Sequence, residues 1–479
     1  MRILYCNKYN FAFSGTEAYL FSAMDLMRTR GHKTALFSMA DERGSVTEFD
    51  RYLVPHLDFK NPQQGLLRKA RLAAHALYSR EARRRLRKMI AAFKPDVAHV
   101  RNIYHHLSPS ILWELKAQNV PVLYHLNDFK LLCPSYNMVA KNHVCEHCRG
   151  GQFWRVVTEG CYPGPRSAGV VLAAEAYLHK WLRTYEKCVD RFLAPSQFVK
   201  DKLIENGWDG RKIEVLPHFQ HLPETPSIDS DQSAILYFGR LSPEKGLTDL
   251  LRAMKRLARV RLQIAGDGPQ RPELEQLVLD LGLNNVEFLG YVAGTALDAL
   301  IARARFTVLP SRAYETLGKT ILESYAFGRA VVASDLGSRR ELIEEDVTGL
   351  LYRPGDIEQL AGAISFLYDR PALARQMGAA GREMVRQRFT PEMHYQALSS
   401  LYEDLLKRKR SSISSATPKL KVAFIGGRGV VSKYSGIEAY YEEVGQRLAA
   451  MGHEVTVYCR TYFTPPIDQY YGMRILRLP

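Results

Sequence analysis

The stretch that decides the fold runs from Pro310 to Gly337 and reads PSRAYETLGKTILESYAFGRAVVASDLG. An apolar strand is predicted to end at Pro310, a loop to carry Glu315, and a helix to begin near Gly318 with Glu323 one turn inside it. At such a helix start, some backbone amides have no hydrogen-bond partner within the helix; here they are the amides of Leu317, Gly318, Lys319 and Thr320. These amides suit a phosphate, whereas Glu323 suits the hydroxyls of a sugar or ribose; an exposed glutamate on an amphipathic helix is the other interpretation.

Strand and helix signals alternate on both sides of this stretch. The strand candidates are Arg2–Asn7, Lys33–Ser38, Val97–Asn102, Val122–Asn127, Arg191–Ser196, Lys212–Pro217, Ala234–Gly239, Arg261–Ala265, Val286–Tyr291, Phe306–Pro310 and Ala330–Ser334. Such alternation predicts parallel sheets with helices on both faces. A segment rich in proline, serine and aspartate, LPETPSIDSDQ at 222–232, predicts a linker. We therefore expect an α/β protein with two Rossmann-like domains, at 1–221 and 233–390, that face a ligand-binding cleft.

The end of the chain repeats its beginning. Ser14–Tyr19 (SGTEAY) matches Ser435–Tyr440 (SGIEAY) at an offset of 421 residues (435 − 14), and Gly31-His32 matches Gly452-His453 at the same offset. The equal spacing favours an internal duplication over a chance likeness between two strand–helix starts. A C-terminal helix is predicted at 391–408 and a linker at 409–419. Residues 420–479 are predicted to form a partial third Rossmann-like unit, which is the start of a second copy of the N-terminal domain.

Two glycine-containing turns follow predicted strands of the second domain. The first, Phe238–Gly246 (FGRLSPEKG), holds Arg240 and Lys245 where a strand gives way to a helix. Two cations in one tight turn can reach one diphosphate, although two isolated basic residues are more often a solvated pair of surface charges. The second turn, Ala265–Pro269 (AGDGP), allows a base or ribose to approach the backbone closely, but Asp-Gly is also a common turn.

Taken together, these motifs resemble the family 4 retaining glycosyltransferases, which have the two-domain GT-B fold. The family's Glu-x7-Glu signature corresponds to Glu315 and Glu323, and its Gly-Arg/Lys…Lys-Gly turn to Gly239–Gly246. Its Gly-x-Gly-Pro turn corresponds to Gly266–Pro269, and its N-terminal Gly-x-Glu loop to Gly15–Glu17. The resemblance covers about residues 1–405.

The resemblance implies a role for each matched residue. Arg240 and Lys245 would hold the diphosphate of a UDP- or GDP-linked sugar, Glu323 would bind the ribose, and Glu315 would contact the donor sugar. The other donor-binding residues that it implies are Gly15, Gly268, Tyr291, Thr316, Leu317, Gly318 and Lys319. Prearranged cations and amides stabilise a departing diphosphate, so no catalytic cofactor is expected. The acceptor would be a glycan or a lipid-linked sugar, as in the synthesis of a cell-surface polysaccharide or glycolipid.

The first domain departs from the family pattern at one catalytic position. Many family members carry a His-Asp pair there. When Asp128-Phe129 is aligned with the aspartate of that pair and the residue after it, Asn127 takes the position where the histidine usually stands. His125 lies two residues earlier (127 − 125). Either side chain could meet the donor sugar or the acceptor, so His125 and Asn127 join Glu315 as catalytic candidates.

Four of the seven cysteines lie close together, within a predicted insert at 133–161. They are Cys133, Cys145, Cys148 and Cys161, with the spacing C-x11-C-x2-C-x12-C. A Cys-x2-Cys pair and two outlying thiols can complete a tetrahedral zinc site, and some family 4 members carry a similar insert. Disulfides and buried free thiols are the alternatives. We predict a structural zinc without a catalytic role.

The composition limits the functional classes. The chain has 479 residues, 46% of them hydrophobic and 24% charged, which excludes a disordered protein. No apolar run approaches the roughly 18 residues of a membrane span. The N-terminal residues MRILYCN lack a signal-peptide core, so a cytoplasmic protein is expected. The net charge of +16 (66 − 50) would also fit a zinc-containing nucleic-acid binder, but no recognition motif supports one, and we expect no nucleic-acid partner; a GT-B epimerase is the other alternative.

Much of the positive charge lies in one segment. Residues 68–88 hold nine basic residues and one acid, and 66–93 can form one long amphipathic helix. A role on an anionic membrane surface, peripheral to its inner face, and an ordinary helix with a solvated basic face explain this pattern equally well.

Overall fold

The computed structural model describes residues 1–12, 15–59, 65–162, 164–223, 233–416, 419–431 and 436–479. These residues form two compact units, Met1–Leu406 and Lys407–Pro479. Of the linker predicted at 222–232, residues 224–232 lie outside the described residues.

The first half of the larger unit is a parallel α/β layer. Its strands are β1 (Arg2–Cys6), β2 (Lys33–Phe37), β3 (Val97–Val100), β4 (Val122–His125), β5 (Val139–Ala140), β6 (His143–Val144), β7 (Arg191–Ala194) and β8 (Ile213–Val215). Its helices are α1 (Gly15–Thr29), α2 (Leu66–Leu77), α3 (Arg80–Phe93), α4 (Ser110–Ala117), α5 (Arg155–Thr158), α6 (Arg166–Leu182), α7 (Thr184–Cys188) and α8 (Gln197–Glu205). Within the described residues, six parallel strands pair in the order β2-β1-β3-β4-β7-β8, and β5 and β6 form a separate antiparallel hairpin.

The second half of the larger unit repeats this architecture. Its strands are β9 (Ala234–Phe238), β10 (Arg261–Ala265), β11 (Val286–Gly290), β12 (Thr307–Leu309), β13 (Val331–Ser334) and β14 (Gly349–Tyr352). Its helices are α9 (Leu247–Met254), α10 (Arg271–Leu281), α11 (Thr295–Arg303), α12 (Lys319–Ala326), α13 (Arg339–Leu342), α14 (Ile357–Tyr368), α15 (Pro371–Arg388) and α16 (Pro391–Ala416). The parallel strands pair in the order β11-β10-β9-β12-β13-β14, so the direction of strand addition reverses between β9 and β12.

Burial explains why these short apolar runs form strands. All residues of β3, β4 and β13 are buried, as expected for parallel strands that helices cover on both faces. Helix α16 returns to the first sheet, where Leu398, Tyr402 and Leu405 pack with Ile3 and Tyr5 of β1. This helix extends through Ala416, beyond the end at 408 that the sequence predicts.

The basic segment at 66–93 forms two helices, so the prediction of one long helix is wrong. Helix α2 ends at Leu77, and Ser79 begins α3 by accepting a hydrogen bond from the amide of Ala82 at 3.0 Å. A serine at this position satisfies an amide that the helix leaves free, and it therefore favours a new helix start over continuation of α2.

The smaller unit contains a strand–helix–strand arrangement like that of β1, α1 and β2. It comprises β15 (Lys421–Phe424), α17 (Gly436–Ala450), β16 (Glu454–Arg460), β17 (Gln469–Tyr470) and β18 (Met473–Leu478). Helices α1 and α17 each have 15 residues, and both of their ends are related by the offset of the sequence repeat, 421 (436 − 15 and 450 − 29). The serines that begin the repeat, Ser14 and Ser435, lie outside the described residues.

Candidate active site

The candidate site lies where the strand order of the second sheet reverses. In sheets of this kind, the loops after the two strands that flank the reversal open a crevice at their carboxyl ends. Strand β9 is followed by Gly239 and Arg240, and β12 by the loop that carries Glu315. Two motifs that are far apart in the sequence are therefore neighbours, because their strands pair directly.

Lys245 and Glu315 form an ion pair across this crevice, with Lys245 Nζ 2.6 Å from Glu315 Oε1. Gly246 allows the contact: its φ is +73°, and a Cβ there would lie 2.0 Å from the carbonyl oxygen of Pro310. Burial would raise the pKa of Glu315, but the charges of Lys245 and Arg339 and hydrogen bonds from Lys245 and Ser311 hold that pKa below its usual value. Glu315 is therefore ionised at neutral pH.

The loop after β12 is held in place by Arg339, which the sequence did not indicate. This buried side chain donates to the carbonyl oxygens of Ser311 at 3.2 Å and Ala313 at 2.9 Å. Ser338 donates to the carbonyl oxygen of Glu315 at 2.8 Å. The position of Glu315 is thus fixed through its backbone as well as its ion pair.

Helix α12 begins directly after this loop, as the sequence predicts. Gly318 precedes its first residue with a φ of +90°, Leu317 is buried, and the first amides of the helix face the crevice end of the sheet. Glu323 lies 3.2 Å from Lys319 Nζ, one turn apart. Burial raises the pKa of Glu323, and Lys319 only partly offsets that effect.

The two glycine turns of the second domain pack backbone against backbone. A Cβ on Gly266 would lie 1.9 Å from the carbonyl oxygen of Gly239, and one on Gly268 would lie 2.2 Å from that of Leu241. Any larger residue at Gly266 or Gly268 would push the turns apart. Tyr291 is exposed and comes just after β11. It lies beside the Gly266 turn, because the carbonyl oxygen of Gly290, at the end of β11, accepts a hydrogen bond from the amide of Gly266 at 2.7 Å.

Arg240 lies on the turn after β9, directly after Gly239. Its side chain is exposed, and its charge reaches the phenol of Tyr136 in the first half of the unit, where it opposes the rise in the Tyr136 pKa that burial causes. Arg240 and Lys245 are therefore both on the turn after β9, but only Lys245 is engaged in an ion pair with Glu315.

Asn127 of the first half meets the loop after β12. Its carbonyl oxygen accepts a hydrogen bond from Thr316 Oγ1 at 3.3 Å. Arg101, directly after β3, donates through Nη2 to the Asn127 side-chain oxygen and to the carbonyl oxygen of Thr16 at 3.4 Å. Asn127, the start of α1 at Gly15 and the Glu315 loop are thereby connected.

Arg101 is a functional candidate that sequence reasoning missed. Its side chain is fully buried, its guanidinium carbon lies 4.5 Å from the centre of the Tyr19 ring, and burial lowers its pKa to about 10. Among the described residues, its Nε and Nη1 have no hydrogen-bond partner. An arginine after an apolar strand is its only sequence signal, and that signal is too common to single it out.

His125 is buried, and it lines one small cavity together with Asn127. Its Nδ1 is 3.3 Å from His99 Nε2 and its Nε2 is 3.2 Å from His218 Nε2. Burial and the charge of Arg101 keep the pKa of His125 well below its usual value, so the ring is neutral. Asn127 contacts the loop carrying Glu315 through its backbone carbonyl oxygen, and the catalytic role of His125 or Asn127 stays a prediction.

A clasp between the two halves, made by the start of α8, was also missed by sequence reasoning. Ser196 Oγ donates to the carbonyl oxygen of Thr316 at 2.7 Å. Glu341 of α13 accepts hydrogen bonds from the amides of Gln197 at 2.8 Å and Phe198 at 2.6 Å. A carboxylate suits these free amides at a helix start. Ser196 is recognisable as a helix-capping residue, but nothing local to it points to Glu341.

Replacing Glu341 with alanine is expected to lower kcat/KM by about tenfold, because two charge-assisted hydrogen bonds that hold the halves together are lost. Steady-state kinetics of the purified variant measure the effect. Glu344→Ala is the matched control, since Glu344 is exposed two residues beyond α13. Equal losses in both variants, or none in Glu341→Ala, would show that the clasp has no part in turnover.

The cysteine insert is folded without a metal-binding arrangement. Cys133, Cys145 and Cys148 line one small cavity with Glu146, but no group of three or more His, Cys, Asp or Glu side chains in the described ranges could hold a metal ion. The zinc prediction is therefore not supported. Two of the thiols have polar neighbours within the insert: Cys133 Sγ lies 3.1 Å from Ser135 Oγ, and Cys161 Sγ donates to the Val156 carbonyl oxygen at 3.9 Å. All seven cysteines lie in the described residues as free thiols.

The insert also contacts the loop after β12. Glu146, between Cys145 and Cys148, accepts a hydrogen bond from the Tyr314 hydroxyl at 2.9 Å and lies 3.0 Å from Lys202 Nζ. Tyr314 immediately precedes Glu315. The insert therefore supports the site from the side of the first half.

Two family models match the larger unit. The model described as Glycosyltransferase Family 4 matches residues 13–219, and that described as Glycosyl transferases group 1 matches residues 219–384. The boundary between the matches falls after β8 and before β9, so each model corresponds to one Rossmann-like half.

Two curated proteins are similar over part of this chain. An α-D-kanosaminyltransferase of Streptomyces kanamyceticus is 32% identical over 245 residues, which cover 50% of this chain and 61% of that protein. The lipopolysaccharide core biosynthesis glycosyltransferase LpsD of Rhizobium meliloti is 33% identical over 215 residues, which cover 43% of this chain and 60% of that protein. The chain thus spans less than two thirds of the length of each relative.

The fold is shared with solved structures. HepE of Anabaena, solved in complex with UDP and also with UDP-glucose, is 20% identical with a TM-score of 0.59, over 84% of this chain and 100% of that chain. The prediction of two Rossmann-like domains in the GT-B arrangement is confirmed. Across residues 13–384, the chain carries a family 4 glycosyltransferase domain followed by a group 1 glycosyltransferase domain, the two halves of that fold.

Proposed function

We propose that the protein transfers a hexose from a nucleotide-sugar to a glycan or lipid-linked acceptor, with retention of configuration. The observation that carries this proposal is the convergence of Arg240, Lys245, Glu315 and the start of α12 at the carboxyl ends of β9 and β12. Cations and free amides suit a diphosphate, whereas the carboxylates suit sugar hydroxyls.

The reaction requires stabilisation of the departing nucleoside diphosphate. As the bond from the sugar to the diphosphate breaks, negative charge grows on the phosphate oxygens and positive charge on the sugar ring. Arg240, Lys245 and the α12 amides would bind the leaving group; two charge-assisted contacts and a helix end contribute about 4–8 kcal/mol. Glu315, ionised and 2.6 Å from Lys245, would accept hydrogen bonds from the donor sugar.

The donor would be UDP- or GDP-linked. HepE binds UDP-glucose, which supports a UDP-sugar in a crevice of the same fold. Glu323 would accept hydrogen bonds from the ribose, and the exposed Tyr291 beside the Gly268 turn would lie near the base. Asn127, which contacts Thr316, would meet the donor sugar or the acceptor.

We place the enzyme in the synthesis of a cell-surface polysaccharide or glycolipid, in the cytoplasm at the inner face of the membrane. The similarity to a lipopolysaccharide core biosynthesis glycosyltransferase supports this proposal. Within the described residues, no helix has the length and apolar character needed to cross a bilayer. Residues 420–479 would begin a second glycosyltransferase N-terminal domain, as the equal lengths of α1 and α17 and their common offset of 421 (436 − 15) support.

Product analysis tests the proposed reaction. The full chain would be incubated with UDP- and GDP-sugars and a set of glycan and lipid-linked acceptors. Release of free nucleoside diphosphate together with a new glycoside whose anomeric proton coupling matches the donor is the expected result. An isomerised nucleotide-sugar would indicate an epimerase instead, and an inverted anomeric centre would contradict retention.

Donor affinity is expected to weaken as the pH falls from neutral to mildly acidic. The ionised Glu323 carboxylate accepts hydrogen bonds from the ribose more strongly than the protonated acid does, and burial raises its pKa, so protonation begins at a higher pH than for an ordinary glutamate. Calorimetric titration with a nucleoside diphosphate at several pH values measures this. In the Glu323→Gln variant, only the pH dependence caused by ionisation of the ligand should be left. Identical pH profiles of the wild type and this variant would contradict the assignment of Glu323 to the ribose.

A further inference from the structure

Helix α6 exposes an apolar stripe that the candidate site does not use. Val170, Ala174, Tyr177 and Trp181 are all exposed, and their spacing puts them on one face of the helix. Trp181 is 80% exposed and Val170 53%. A tryptophan with most of its surface in water is unusual in a soluble domain, and a contiguous stripe indicates an interaction surface.

Neighbouring elements widen the stripe. Trp154, 48% exposed, lies beside it because its backbone amide donates to the Tyr177 hydroxyl at 3.3 Å. Helix α2 packs against α6 on the same half of the unit. We call this surface the α6 patch; it consists of Trp154, Val170, Tyr177 and Trp181.

The exposed charges of the two helices α2 and α6 have one sign. The exposed basic residues of α2 and α6 and of the residue after α6 include Arg68, Arg71, Arg166, Lys180 and Arg183. The one acidic residue in the sequences of these two helices, Glu175, is buried and paired with Lys130 Nζ at 2.6 Å. The surface around the patch therefore attracts anions, without an opposing carboxylate from either helix.

We infer that the α6 patch docks on the surface of an anionic lipid bilayer. Tryptophan and tyrosine favour the headgroup region, where an apolar ring meets water, and basic side chains gain attraction from anionic lipids. A second copy of the chain suits the surface less well, because a twofold contact would bring each basic rim against another basic rim.

This inference rests on the proposed function for its purpose and deepens it. A bilayer would present a lipid-linked acceptor to the half of the enzyme that carries Asn127. The patch is also connected to that half's crevice loop, because Glu175 of α6 pairs with Lys130, three residues after Asn127 (130 − 127). Docking through α6 would thus bring the acceptor-side loop near the membrane surface.

Vesicle co-sedimentation of the full chain tests the inference. The wild type should bind vesicles that contain phosphatidylglycerol, bind pure phosphatidylcholine much more weakly, and dissociate as salt is raised. The double variant Tyr177→Ser/Trp181→Ser should bind the anionic vesicles at least about tenfold more weakly, since two aromatic side chains no longer bury apolar surface. Reversing Lys180 and Arg183 to glutamate should cause a similar loss.

The matched control is Leu279→Ser, which removes an exposed leucine from α10, on the other half of the unit. It should bind the vesicles like the wild type. Equal binding by the wild type and Tyr177→Ser/Trp181→Ser, no preference for anionic lipid, or a dimer in sedimentation that this variant abolishes would overturn the inference. Calorimetry with nucleoside diphosphates on the same preparations separates the two proposals: donor binding without vesicle binding refutes only the docking surface, and vesicle binding without donor binding refutes only the proposed function.

Discussion

The Lys245→Ala variant is expected to turn over about 10²-fold more slowly than the wild type, with its fold intact. Lys245 is the cation that the structure places in direct contact with Glu315, at the point where β9 and β12 bring their loops together. Without it, the diphosphate would lose a charge-assisted contact that strengthens as the leaving group departs. A loss of this size corresponds to about 2.7 kcal/mol of transition-state stabilisation.

Steady-state kinetics with saturating donor measure this loss, because the contact acts mainly on the departing diphosphate. Circular dichroism and thermal unfolding verify that the variant is folded. Lys255→Ala is the matched control, since Lys255 is an exposed lysine directly after α9, away from the crevice. Normal turnover in Lys245→Ala would remove Lys245 from the mechanism.

The Glu323→Ala variant is expected to bind the nucleoside diphosphate about 100-fold more weakly, because two hydrogen bonds from the ribose to an ionised carboxylate are lost. The half-buried position of Glu323, one turn into α12, makes the expected loss larger than at an exposed site. Isothermal titration calorimetry measures the affinity directly. Glu273→Ala, at an exposed glutamate in the first turn of α10, is the control.

A modified ligand makes this prediction specific. A nucleoside diphosphate without the ribose 2′- and 3′-hydroxyls should bind the wild type more weakly than the normal nucleoside diphosphate does. The Glu323→Ala variant should bind these two ligands with equal affinity. If the variant still distinguishes the two ligands as strongly as the wild type does, Glu323 does not bind the ribose.

The parts of the site that could be predicted from the sequence depend on local structure. The start of α12 after Gly318 follows from residues next to each other, and so do the turns at Gly239–Gly246 and Gly266–Pro269. The meeting of Lys245 and Glu315 follows from one further rule, that strands flanking a reversal of order open a common crevice. The resemblance to family 4 glycosyltransferases assigned the same residues to one ligand.

The parts that could not be predicted depend on contacts between distant residues. Glu341 meets the start of α8 although 144 residues separate it from Gln197, and Arg101 reaches Asn127 from a neighbouring strand. The cysteine spacing indicated zinc, but spacing alone does not give the positions of the four thiols or polar neighbours such as Ser135, which lies 3.1 Å from Cys133 Sγ. The break at Ser79 was missed because the apolar pattern continues across it.

Calorimetric titration of the full chain with UDP, GDP and ADP, and then with the corresponding nucleotide-sugars, tests the central claim most directly. We expect saturable binding of the compounds of one base at one site per chain, and marked weakening of that binding in Lys245→Ala. Absence of binding to every one of these compounds by protein that circular dichroism shows to be folded would contradict a nucleotide-sugar site in the crevice between β9 and β12.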